Sequence, residues 1–226
     1  MLNLKNITKR FSNAGSYVEI LKNVNLSLSK GEIASLVGES GCGKSSLLHI
    51  AGLISSIDSN DSGSIFINGV NCTQMNDDER SEMRKKIGFI YQFHHLMPEF
   101  TAFENLLLPQ LISGKNEKDA KIKTEEILKK FNLFYLKDKK PQYMSGGENQ
   151  RIAILRAFIK EPLLVLADEP TGNLDEKNAN EIFDFILQNS REKSITCLII
   201  SHNSHLAQKT DRVILMNDIN QLEHAN

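Results

Sequence analysis

The chain has 226 residues, enough for one large domain or two small ones around a real hydrophobic core. Its 27 basic and 28 acidic residues leave a formal charge of −1, which argues against a broad electrostatic grip on nucleic acid. No apolar run approaches the ~20 residues of a membrane span, the first eleven residues carry charges where a secretory leader is apolar, and three scattered cysteines point to reduced thiols. A cytosolic globular protein is expected, and any membrane role would have to come through a partner.

Up to about residue 71, turn signals at 13–16, 62–64 and 68–69 separate short β-rich segments, which predicts an antiparallel flank. Four apolar, β-branched runs, 33–37, 87–91, 163–167 and 196–200, lack polar alternation and read as strands covered on both faces of a parallel sheet. Each ends on a chemically useful residue: Gly38, Gln92, Asp168 with Glu169, and Ser201 with His202. Ligands of open α/β sheets bind beyond the carboxyl ends of the strands, so the four runs deliver glycine, amide, carboxylates and imidazole to one edge. Helical patterns dominate from about 104 to 160, with a charged stretch at 115–130, a loop at 138–142 and an apolar-faced helix after Ser145. The expected organisation is one α/β domain, its core formed by about 1–91 and 161–226 and a helical subdomain by about 92–160.

Gly38-Glu39-Ser40-Gly41-Cys42-Gly43-Lys44-Ser45 fits G-x-x-x-x-G-K-[ST] between a strand and a helix. Its glycines let backbone N–H groups turn inward around phosphate oxygens, and the helix N-terminus favours an anion. Lys44 would reach the β- and γ-phosphates and the Ser45 hydroxyl would bind Mg²⁺; the bland alternative is a glycine-rich turn that binds nothing. Cys42 reads as a small tolerated side chain. Asp168 is placed to hold Mg²⁺ and Glu169 to polarise water, since phosphoryl transfer depends mostly on positioning and charge. His202 could hydrogen-bond the γ-phosphate, and Gln92 could offer its amide oxygen to Mg²⁺ and its N–H₂ to the water. His94 and His95 are adjacent and make a poor metal pair.

Ser145-Gly146-Gly147-Glu148 matches a capping box before a helix with Ile152, Leu155 and Ile159 on one side. Capping alone would explain the serine and glutamate. Two glycines in a first turn also suit close approach of an anion, which would give the chain one more anion-binding helix end than a single phosphate loop needs.

Together these residues resemble the ATP-binding cassette (ABC) ATPases, in order and along essentially the whole chain: Walker A at Gly38–Ser45, the Q-loop glutamine Gln92, the signature from Ser145 to Gln150, Walker B ending in Asp168 with Glu169, the D-loop Asn173-Leu174-Asp175 and the switch histidine His202. The resemblance implies an α/β P-loop NTPase core with a mostly parallel sheet, an antiparallel β flank and a helical subdomain. It implies ATP and Mg²⁺ as ligands, with Ser46 completing the nucleotide loop. It also implies a head-to-tail dimer in which Ser145, Gly146 and Gly147 of one copy cover ATP on the other, which accounts for the surplus anion site. Phe11 matches the family's adenine-stacking aromatic; Tyr17 is the runner-up, its place beside Val18 suiting strand packing. The segment 89–105, with its histidine pair after Gln92, is similar to the branch of the family that powers lipoprotein release. That branch implies two integral membrane subunits as partners and a peripheral place on the cytoplasmic face of the bacterial inner membrane. Macrolide-export or cell-division relatives and soluble, non-transport ATPases are the alternatives. Met144, Asn149, Asn203 and Ser46 depart from the usual family residues without removing a group the chemistry needs. The stretch 115–140 holds nine lysines against five acidic residues, either a solvated face or an attraction to anionic lipid headgroups.

Overall fold

Alternate residues of the central strands serve two different cores, and this is why their sequence shows no polar alternation. Ala34, Leu36, Leu164, Leu166, Leu198 and Ile200 pack into one apolar cluster, while Ile33, Val165, Ala167, Cys197 and Ile199 pack into another on the opposite face. A computed structural model describes residues 1–13, 16–57 and 61–221. In chain order the elements are β1 (Leu2–Asn13), β2 (Ser16–Leu28), β3 (Ile33–Val37), α1 (Lys44–Ala51), β4 (Ser62–Ile67), β5 (Val70–Asn71), α2 (Asp77–Arg84), β6 (Ile87–Ile90), α3 (Ala102–Ile112), α4 (Glu117–Lys130), α5 (Gly146–Phe158), β7 (Leu164–Asp168), α6 (Glu176–Glu192), β8 (Thr196–Ile200), α7 (Ser204–Ala207), β9 (Arg212–Leu215) and α8 (Met216–Ile219). Among the described residues no helix is long and apolar enough to cross a membrane.

The strands form a parallel sheet in the order β6-β7-β8-β3-β9 and an antiparallel sheet in the order β2-β1-β4-β5. Three strand boundaries differ from the sequence reading by one residue: β6 stops at Ile90, and β7 runs from Leu164 to Asp168, so the aspartate closes its strand. The expected turn at 62–64 is instead the start of β4, paired with β1. Gly63 makes this possible, with φ at +120° and so little room that a Cβ would lie 2.8 Å from Asn6 O and Ile7 Cα. Of the turn expected at 13–16, residues 14 and 15 lie outside the described residues; Asn13 pairs with Ser16 on either side.

Helix α5 separates two cores. Ile154, Ala157 and Phe158 join the cluster beneath the parallel sheet, whereas Ile152, Ala153, Leu155 and Ile159 join a third cluster with Leu106 of α3 and Ile127 and Leu128 of α4. Its approach to β6 is set by a bare backbone: a Cβ on Gly88 would sit 2.6 Å from Ala157 O. Gly88→Ala is therefore expected to destabilise the fold by about 1–3 kcal/mol, the usual cost of overpacking. Calorimetry would show this as a melting temperature lower by roughly 2–4 °C per kcal/mol; an unchanged melt would mean that α5 can step back freely. In the lysine-rich stretch, Lys121 faces Glu117, Lys123 faces Glu161, Lys130 faces Glu192, and Lys129 and Lys137 share Glu125. Of these acids only Glu161 and Glu192 come from outside the stretch, so pairing offsets two of its four excess positive charges.

Candidate active site

Parallel register brings the carboxyl ends of the central strands level. Leu36 of β3 pairs with Ile200 of β8, Ile200 with Asp168 of β7, and Ala167 with Ile90 of β6. The residues that follow therefore emerge side by side along one edge, in the order Gln92, Asp168 with Glu169, His202, and the loop 38–45.

The loop 38–45 turns through two glycines in the left-handed region, Gly41 at φ +80° and Gly43 at φ +96°. Gly43 rests on β2, where a Cβ would meet Leu21 Cδ2 at 2.7 Å, and beyond Gly41 the space is open. Gly43 is also the N-cap of α1, and no side chain caps that helix or puts an acid in its first turn. Its N–H groups are thus left for an outside acceptor. Lys44 is buried, and its Nζ lies back on the loop, donating to Gly38 O at 2.8 Å and Glu39 O at 2.6 Å, with Cys42 Sγ at 3.7 Å. An ammonium held only by carbonyl dipoles has a stronger partner in a phosphate. Glu39, Ser40 and Ser45 line the exposed rim, and Ser46 is half-buried in the first turn of α1. These features fit a nucleotide triphosphate.

Ser45 Oγ donates to Asp168 Oδ1 at 3.2 Å. Burial pushes the Asp168 carboxyl above the usual carboxylate range; the Ser45 hydrogen bond works against this and the neighbouring Glu169 charge with it. A half-buried carboxylate beside a hydroxyl is a hard-oxygen pair suited to Mg²⁺, which takes one or two protein oxygens and completes its shell with phosphates and water. No cluster of three or more His, Cys, Asp or Glu side chains suited to a metal occurs among the described residues.

Glu169 follows at φ +46°, an unusual conformation for a side chain this size, fixed by its N–H on Ile200 O at 3.2 Å and by Gly172 N–H on its own carbonyl at 3.0 Å. The kink puts Glu169 Oε1 2.6 Å from Nε2 of His202. The two side chains border an open cleft that also touches Leu174, Ser201 and Asn203. Asn203, where the family usually has aspartate, caps α7 by accepting from Leu206 N at 3.1 Å.

The Gln92 side chain lies on the other flank, its Nε2 donating to Asn173 Oδ1 at 3.2 Å and packing on Gly172. Phe11 is exposed on β1 opposite Val18, with Lys9 Nζ 5.7 Å from its ring centre; Tyr17 is opposite Ser12 and is more exposed. Neighbouring positions on a strand face opposite ways, so the two aromatics sit on opposite faces of the hairpin.

Ser145 caps α5 and closes the expected box: Glu148 N donates to Ser145 Oγ at 3.2 Å and Ser145 N to Glu148 Oε2 at 2.7 Å. The Ser145 backbone hydrogen bond holds the Glu148 carboxyl below its usual range. A Cβ on Gly146 would meet nothing within 4 Å, and one on Gly147 only Asn178 Oδ1 at 3.7 Å. The capped helix thus presents a bare glycine turn to solvent.

The segment after Gln92 is held from behind by residues that sequence reasoning passed over. Arg156 of α5 donates to His94 O at 2.9 Å and His95 O at 2.7 Å. Buried Asn105 of α3 accepts from Met97 N and donates to the carbonyls of Met97, Phe100 and Thr101. Burial first, then Arg156 and His95, keep His94 below the usual histidine range, and Leu96 N donates to its Nδ1 at 3.2 Å. On the outer side Phe93, Met97 and Phe100 stand exposed. An arginine inside the apolar pattern of α5 was the one available sequence signal.

A glycine-rich loop opening a helix, a carboxylate 2.6 Å from an imidazole at the neighbouring strand ends, and a separate capped glycine turn make up the layout of an ATP-binding cassette ATPase. The chain belongs to the ABC transporter family, whose match spans residues 21–172. It is 41% identical over 219 residues to the lipoprotein-releasing system ATP-binding protein LolD of Legionella pneumophila strain Lens, covering 96% of this chain and 95% of that protein. It is 45% identical over 216 residues to LolD of Ehrlichia canis strain Jake, covering 95% and 94%. Among solved structures it is similar to a dimeric ATP-binding cassette in a post-hydrolysis state bound to ADP and Pi, with TM-score 0.86, 33% identity and coverage of 99% and 98%. A dimeric bacterial ABC transporter cassette gives TM-score 0.85 at 34% identity, covering 95% and 94%.

Proposed function

We propose that this chain is the ATP-hydrolysing subunit of a lipoprotein-releasing ABC transporter, peripheral on the cytoplasmic face of a bacterial inner membrane and working as a pair beneath two integral membrane subunits. The observation that carries the chemistry is the 2.6 Å approach of His202 to Glu169, next to the Ser45–Asp168 pair. The observation that carries the subclass is similarity to LolD proteins over nearly the full length of both partners.

In this reading the loop from Gly38 to Ser46 wraps the phosphates, and Lys44 leaves its carbonyls for the β- and γ-oxygens. Ser45 and Asp168, with Gln92 once its amide turns from Asn173, would hold Mg²⁺, which supplies charge neutralisation on the transferring phosphoryl group. Glu169 accepts hydrogen from the attacking water, and His202 orients Glu169 and the γ-phosphate. Phe11 stacks on adenine. Ser145, Gly146 and Gly147 act on the nucleotide of the second copy, their open turn supplying backbone N–H groups. Phe93, Met97 and Phe100 form the exposed apolar surface on which a membrane subunit docks.

Affinity purification of the chain from native membranes is expected to recover two different integral membrane proteins of a lipoprotein-releasing complex. Recovery of a macrolide-export or cell-division membrane partner instead would overturn the subclass.

A further inference from the structure

Buried Gln150 makes one contact set that the chemistry above does not use. From α5, five residues after Ser145, its Nε2 donates to Tyr91 O at 3.0 Å and to Pro170 O at 2.9 Å. Both protons of one amide nitrogen are thus spent on two backbone carbonyls. Those carbonyls are not incidental. Tyr91 immediately precedes Gln92, Pro170 immediately follows Glu169, and both lie beyond the last ladder pairs of β6 and β7, at Ile90 and Asp168. The sheet no longer supplies them with donors, and Gln150 does. Six residues further along the same helix, Arg156 holds the carbonyls of His94 and His95, so α5 grips the chain on both sides of Gln92.

We propose that Gln150 is a positioning residue for hydrolysis: it locks the helix that presents the Ser145–Gly147 turn to the backbone flanking Gln92 and Glu169. This inference rests on the hydrolytic reading given above. Its physical content is that the groups a copy lends to its partner's nucleotide and the groups it applies to its own share one hydrogen-bonded joint. Loosening the joint would leave nucleotide capture by the loop 38–46 intact while misplacing the water-orienting groups and the signature turn. Small misplacements of this kind are costly to rate and cheap to binding.

Gln150→Met keeps the length and nearly the volume of the side chain and removes the donor. The full chain carrying it is expected to bind ATP with wild-type affinity and melt within a few degrees of wild type, while kcat falls about tenfold or more with KM for ATP changed less than about twofold. ATP-driven dimerisation, followed by light scattering in a Glu169→Gln background, is expected to reach a smaller dimer fraction at saturating ATP, with the nucleotide concentration at half-effect unchanged. Turnover within about twofold of wild type would overturn the proposal. So would a fall in kcat matched by lost ATP affinity in the folded variant, because that is what a merely structural glutamine would give. If Gln150→Met does not fold, Gln150→Asn, which keeps the amide and loses the reach, carries the same expectation. Glu169→Gln alone, assayed alongside, separates the two ideas: normal turnover there defeats the hydrolytic reading, whereas an inactive Glu169→Gln with a fully active Gln150→Met defeats only the joint.

Discussion

Glu169→Gln is expected to bind ATP normally and to hydrolyse it at least ~100-fold more slowly, the scale of a positioned general base. The substitution changes little sterically. Glutamine can occupy the same left-handed kink, with its N–H on Ile200 O, and its amide oxygen can still accept from His202. It cannot take a proton from water. None of the groups proposed to hold the phosphates is altered, because the loop from 38 to 43 follows β3 and Lys44 to Ser46 open α1, apart from Glu169 in the chain. Steady-state phosphate release together with equilibrium ATP binding separates the two effects. Turnover near the wild-type rate would remove Glu169 from the base position and leave His202 as the group to examine.

Ser145→Arg is expected to abolish ATP-driven dimerisation. Two losses combine. The capping hydroxyl goes, at about 1 kcal/mol, and a long cation enters the open space over Gly146, where a partner's nucleotide would lie. Ser145→Ala isolates the first loss and should retain most of the dimer, whereas the arginine should leave only monomer by light scattering at saturating ATP. A wild-type dimer in the arginine variant would count against a composite site shared between copies.

Local signals made much of this molecule legible. The apolar runs become parallel strands because both faces are covered, and the residues after the runs emerge together along one edge because the strands end level. The capping box of Ser145 and Glu148 and the glycine loop are contiguous motifs whose partners lie within a few residues. What escaped the sequence reading depends on distant chain. The segment 62–64 has turn composition but is drawn into a strand by pairing with β1, through a glycine that tolerates contact with Ile7. The holds of Gln150 on Tyr91 and Pro170 and of Arg156 on the histidine pair are side chain to backbone bonds that span from 20 to 62 residues, whereas that of Asn105 on the 97–101 turn is local. Composition and periodicity carry no record of such pairings. The choice of Phe11 over Tyr17 likewise rests on the family resemblance, since the hairpin exposes both.

The strand order has a consequence for how the protein is made. β8, eighth of the nine strands among the described residues, lies between β3 and β7 and hydrogen-bonds to both. Until it leaves the ribosome, the phosphate loop and the acidic pair sit on strands with a gap between them and no shared ladder. A nascent chain that has emerged only as far as Glu192 therefore carries Walker A, the signature and Walker B without an assembled catalytic edge. Contacts that close this late and over such sequence distance are slow to form. The level edge on which the proposed chemistry depends therefore forms only once residues 196–200 are available to pair with both neighbours.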